Sequence, residues 1–178
     1  MSEPLRDREL LRRAFTLLGE RLARRGVVGE VHVFGGAAMV LAFDARAATR
    51  DVDALFEPDG HVLDAAREVA VELELPRSWL DDQASSYVSG RAGRGTPVFD
   101  HPNLRVMTTP AEHLLAMKVR AARAARDADD LRLLLDHLAL RSVAAVEAIV
   151  ARYFPDEPLS DRSRMLLEDL RDVTSHES

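Results

Sequence analysis

Residues 31–56 read VHVFGGAAMVLAFDARAATRDVDALF, and the fold turns on how this stretch is parsed. Residues 30–35 alternate and are β-branched, so they form a strand with Val31 and Val33 on one face and His32 and Phe34 on the other. The strand ends in Gly35-Gly36. Ala37 to Phe43 carries no polar side chain and should be a buried helix. An arginine-bearing turn then leads into a second strand, Val52 to Phe56, with Asp51 and Asp53 at its head.

Two carboxylates separated by one residue on a strand point to the same face, because side chains repeat every second residue. Held that close they repel, and a cation beside them relieves the repulsion. Magnesium suits the pair, since it takes one or two carboxylates and completes its shell with water and substrate phosphate oxygens. Gly35 and Gly36 stand at a strand-to-helix junction, where missing side chains let backbone N–H groups and a helix N-terminus approach a phosphate. A solvated acid pair and a plain tight turn are the bland readings of the same residues. Together, in this order, the two motifs point to a nucleotidyl-transfer site.

Outward from this centre, Leu5 to Arg25 has apolar residues at helical spacing (Leu10, Leu11, Ala14, Leu17, Leu18, Leu22), and Gly26 supplies its stop. Pro58-Asp59-Gly60 reads as a turn, followed by an amphipathic helix from Val62 to Leu75 ended by Pro76. Residues 77–103 hold Trp79, a possible short helix at Ser78 to Ser86, and SGRAGRGTP (89–97), a loop or hairpin tip. Leu104 to Thr108 is a strand. Helices are expected at Ala111 to Arg126, Asp127 to Leu140, Ser142 to Tyr153 and Ser160 to Val173. The predicted class is α+β, with a small mixed sheet flanked by helices in residues 1–109 and a helical region, 110–178, packed on that core.

At 178 residues the chain is long enough to bury a core. It has no cysteine, which excludes a disulfide framework, thiol catalysis and thiolate zinc sites. Met1 to Arg13 is charged, unlike a targeting segment, and the longest apolar run, Gly35 to Phe43, is too short for a bilayer, so a cytoplasmic protein with no membrane partner is expected. A net charge of −6 argues against a broad basic surface for nucleic acid. Local patches remain open at Arg21/Arg24/Arg25, Arg91/Arg94 and Arg120/Arg123/Arg126.

Lys118 falls within the apolar arc of its helix, beside Leu114, Ala121, Ala122 and Ala125. An inward ammonium needs a partner, which a phosphate site would supply, or it can snorkel to the rim. Arg120 and Arg123 lie on the other side, solvated or facing nucleic acid or nucleotide. In Arg126-Asp127-Ala128-Asp129-Asp130, Asp127 suits an N-cap with Asp130 in the first turn. An acid there could instead orient Lys118 or take a proton from an attacking hydroxyl. A continuous helix would put Asp129 on the Lys118 face; a break at Asp127 would favour Asp127 or Asp130.

GGAAMVLAF, TRDVDALF and LLAMKVRAARAARDADDLRLLL, taken together over about residues 31–135, resemble the small bacterial nucleotidyltransferases of the AbiEii and MenT toxin type, with a related bacterial family of domains of unknown function, in the polymerase-beta-like superfamily. The resemblance implies the nucleotidyltransferase fold, Gly35 and Gly36 as the phosphate-side turn, Asp51 and Asp53 as Mg²⁺ ligands, Lys118 as a nucleotide-phosphate contact, and Asp127 or Asp130 as the late acid. It further implies transfer of a nucleoside monophosphate from an NTP to an RNA acceptor such as tRNA, and an antitoxin protein as partner. The chain departs from the pattern twice. Gly36 stands where many relatives carry serine, and Leu104 to Thr108 has no carboxylate where polymerase-like members keep a third metal ligand. The alternatives are nucleotidylation of a protein or small molecule, and a catalytically silent nucleotide- or partner-binding module.

Overall fold

The computed structural model describes residues 6–43, 48–83, 95–121 and 124–174. Over these the protein is α+β, as expected, and it divides at Thr109/Pro110 into a sheet unit and a helical unit.

The sheet unit opens with a two-residue strand β1 (Arg6–Asp7) and helix α1 (Arg8–Arg24), whose first turn is capped by the Asp7 carboxylate accepting from the Leu10 N–H at 2.8 Å. Next come β2 (Gly29–Val33), α2 (Gly35–Phe43), β3 (Ala48–Thr49), β4 (Val52–Glu57), α3 (Asp59–Glu72), β5 (Leu80–Asp81), β6 (Thr96–His101) and β7 (Leu104–Thr108). The main sheet has the order β5-β4-β2-β7-β6, and β1 pairs with β3 apart from it. β2 runs antiparallel to β4 and parallel to β7; β4 and β5 are parallel, β6 and β7 antiparallel. Alternation decides which face is core. Gly29, Val31 and Val33 of β2 and Val52, Ala54 and Phe56 of β4 are buried, while Glu30, Asp51, Leu55 and Glu57 on the other face are exposed. Leu22 of α1 and Val62 of α3 reach the Gly29 position, so these two helices cover the buried face. Phe15 of α1 packs against the rings of Trp79 and Phe99.

The helical unit contains α4 (Ala111–Ala121), α5 (Ala124–His137), α6 (Val143–Tyr153) and α7 (Asp161–Thr174). Ser142 caps α6 through its hydroxyl at 3.2 Å from the Ala145 nitrogen. The buried Ser163 hydroxyl of α7 donates to the Val119 carbonyl of α4 at 2.8 Å. Among the described residues no helix is long and apolar enough to cross a membrane.

Several boundaries differ from the sequence reading. α2 starts at Gly35 itself, and α3 starts at Asp59, so Asp59-Gly60 belongs to the helix and not to a turn. The proposed helix at 78–86 is replaced at its start by β5, because Val52 N–H donates to the Trp79 carbonyl at 2.8 Å and draws that segment alongside β4. β6 is a full strand that composition alone did not mark, its Pro97 tolerated on an edge strand. Most of SGRAGRGTP lies outside the described residues.

The packing of α1 on β6 rests on a missing side chain. A Cβ at Gly19 would lie 2.5 Å from Nδ1 of His101, a ring held in place by the Asn103 N–H at 3.0 Å. Alanine is the better helix former by about 1 kcal/mol, but overpacking a fixed neighbour costs about 1–3 kcal/mol. Gly19→Ala is therefore expected to lower stability, seen as a reduced urea midpoint with unchanged slope; an increase would show that α1 can move off the sheet freely.

Candidate functional site

In the sheet unit the glycine turn and Asp53 meet. Gly35 has φ +65°, a conformation that side-chain-bearing residues rarely adopt. A Cβ built on it would stand 3.1 Å from Oδ2 of Asp53. The Asp53 carboxylate thus lies against the first residue of α2, where the helix dipole favours negative charge. The junction is tied on both sides. Phe34 N–H donates to the Asp53 carbonyl at 3.0 Å, while the Val33 carbonyl accepts from the Thr109 N–H at 2.9 Å and from its hydroxyl at 3.3 Å. Gly36 follows as the second residue of α2, half-buried.

Asp51 is exposed and Asp53 half-buried, on the face of the sheet away from α1 and α3. The sequence reading missed a third acid beside them. Asp81 of β5 is the register partner of Asp53, so the two project side by side from parallel strands. Burial pushes the Asp81 carboxyl above its ordinary value; a hydrogen bond from the Gln83 N–H opposes this, and repulsion from Asp51 and Asp82 adds to it. β7 has no acid, but the strand on the other side of β4 supplies one. The signal was Leu80-Asp81-Asp82 directly after the buried Trp79, concealed because two residues are too few to show a strand period.

Among the described residues no group of three or more His, Asp or Glu side chains is arranged to hold a metal ion. Asp51 and Asp53 are hard oxygen donors, the type of which magnesium takes one or two while completing its shell with water and phosphate.

Compared with known proteins, the chain matches no family model, no curated protein and no solved structure.

The remaining acids and the lysine form a cluster within the helical unit. Lys118 Nζ lies 2.7 Å from Oδ2 of Asp130 and 3.0 Å from Oδ1 of Asp127, and all three residues are buried. The lysine faces inward and does not snorkel. Asp127 is not the N-cap that the sequence suggested: α5 begins at Ala124, which puts Asp127 inside the first turn and both Asp127 and Asp130 toward α4. Asp129 points away, exposed and paired with Arg132 at 3.0 Å.

Arg123 lies outside the described residues. Arg120 pairs with Glu157 and stacks its guanidinium 3.8 Å from the Phe154 ring centre. In the sheet unit Arg21 and Arg25 of α1 are paired with Glu68 and Glu72 of α3, so this cluster clasps two helices together and is not an open basic patch.

Removing the ammonium would leave two carboxylates in a buried site, and breaking a buried ion pair in this way costs about 3–5 kcal/mol. Lys118→Ala is expected to lose stability on that scale by urea unfolding, with much recovered when Asp130→Asn is added; equal stability of Lys118→Ala and wild type would show the cluster to be solvated.

His113 of α4 is fully buried, stacked on Tyr153 at 4.7 Å with an interplanar angle of 7°. Burial lowers its pKa to about 4. In the unfolded chain the same group titrates at about 6.5. The unfolded state therefore binds more protons between these values, and stability falls as pH drops from about 6.5 toward about 4, by up to about 3 kcal/mol. Urea unfolding at several pH values should show this slope in wild type and a shallower one in His113→Phe; identical slopes would exclude His113 as its source.

Proposed function

We propose that the chain is a Mg²⁺-dependent nucleotidyltransferase that moves a nucleoside monophosphate from an NTP to an acceptor hydroxyl, releasing pyrophosphate. The observation that carries the reading is the approach of the Asp53 carboxylate to the Gly35 turn, with Asp51 on the same strand face. Magnesium, when bound, supplies charge neutralisation on the triphosphate and a lowered pKa for the attacking hydroxyl. Asp51 and Asp53 hold it. Gly35 and Gly36 put no side chain between the start of α2 and a phosphate. In the helical unit Asp127 and Asp130 orient the Lys118 ammonium, at 3.0 and 2.7 Å, the group that the sequence resemblance implies as a phosphate contact.

The acceptor we favour is tRNA, the RNA class that the sequence resemblance implies, with an antitoxin protein as the matching partner. A second reading, with a protein or small-molecule acceptor, is favoured by the neutralisation of Arg21 and Arg25 and by the net charge of −6. Incubation with each α-labelled NTP, Mg²⁺ and total tRNA should label the RNA with one or more nucleotides. The label should be lost with Asp51→Asn and with Asp53→Asn. Labelling of a protein band in place of RNA would select the second reading, and transfer that survives both substitutions would overturn the site.

A further inference from the structure

The peptide group between Asp51 and Val52, the first of the two that link the carboxylate-bearing residues, is held at both ends. Its N–H donates to the Trp79 carbonyl at 2.8 Å, and its C=O accepts from the Thr49 hydroxyl at 3.2 Å. The Trp79 end is anchored in the core, since its ring is fully buried and its indole N–H donates to the Ala66 carbonyl of α3 at 2.9 Å. The Thr49 end depends on one side chain. Thr49 is only 6 % exposed, a buried hydroxyl whose hydrogen bond goes to this carbonyl. A peptide plane fixed from both sides sets the directions in which the side chains before and after it leave the backbone.

We propose that Thr49 is a positioning residue for the Asp51/Asp53 pair: its hydroxyl fixes the Asp51–Val52 peptide plane and so holds the two carboxylates at the separation at which one divalent cation takes both. The inference rests on the reading of Asp51 and Asp53 as cation ligands. It assigns Thr49 no contact with nucleotide or metal. Without the hydroxyl the carbonyl loses this partner, the plane can tilt about its one remaining bond, and Asp51, exposed at the strand's start, swings away from Asp53. Groups that orient ligands in this manner typically change metal affinity by about 10–100-fold when removed.

The test is binding of Mn²⁺ alone to the full chain, read by calorimetry and by the paramagnetic signal of the free ion, for wild type, Thr49→Val, Thr49→Ser and Asp53→Asn, with circular dichroism as the check on folding. Thr49→Val should bind about tenfold more weakly at unchanged helix content, and Thr49→Ser, which keeps the hydroxyl, should bind within about threefold of wild type. A purely structural role would lower the melting temperature of Thr49→Val without moving the affinity of its folded form, and that result overturns the proposal while leaving the ligand reading in place. Wild type that binds no Mn²⁺, or binds it unchanged after Asp53→Asn, overturns both. Should Thr49→Val fail to fold, Thr49→Ala is measured against Thr49→Ser by the same criteria.

Discussion

The sheet unit depends on the absence of a side chain at Gly35. Three constraints converge there: a left-handed φ of +65°, an Asp53 oxygen 3.1 Å from where a Cβ would stand, and the ends of β2, β4 and β7 tied by Phe34 N–H to Asp53 and by Thr109 to Val33. A side chain would add a backbone cost of about 1–2 kcal/mol to the displacement of the carboxylate. The same vacancy that lets the strand turn into α2 lets an acid reach the start of that helix. Fold and candidate site therefore use one residue for two purposes.

The helical unit is organised around a different constraint, a buried ammonium shared by two carboxylates. Such clusters are weak contributors to net stability, because desolvating the charges offsets much of their attraction. What they do provide is direction. Lys118 on α4 sits between Asp127 and Asp130 of α5, and the Ser163 hydrogen bond ties α7 to the same α4 segment at Val119. A lysine held this way presents its charge at a defined point, whereas a snorkelling lysine averages over many.

Much of the fold was legible in the sequence. The alternation in 30–35, the apolar run after the glycines and the helical periods of the second half each led to an element at nearly the right place, because each is a local pattern repeated over several residues. What escaped was set by partners distant in sequence. β5 is two residues long and exists because Trp79 is buried beneath α1 and α3. Asp127 looked like a helix cap because capping is local, whereas its contact with Lys118 depends on where α5 begins. Arg21 and Arg25 looked like a patch until Glu68 and Glu72, more than forty residues on, were found opposite them. Gly35 and Asp53 could be suspected of meeting, but only the antiparallel register of β2 and β4 brings them together.

The strand face that carries Asp51 and Asp53 shows how backbone and charge act on each other. Like charges on one strand can lower their repulsion by moving apart, by taking up a proton or by binding a cation. Movement is opposed here, since Thr49, Trp79 and Phe34 hold the backbone at three successive points through the pair. Next door, burial together with the neighbouring Asp51 and Asp82 raises the Asp81 carboxyl above its ordinary value. Binding a cation is the response that the proposed function assigns to Asp51 and Asp53. A backbone held at these points fixes the directions of its side chains during folding, which is what the proposed divalent-ion site requires if its affinity is to come from geometry prepared in advance.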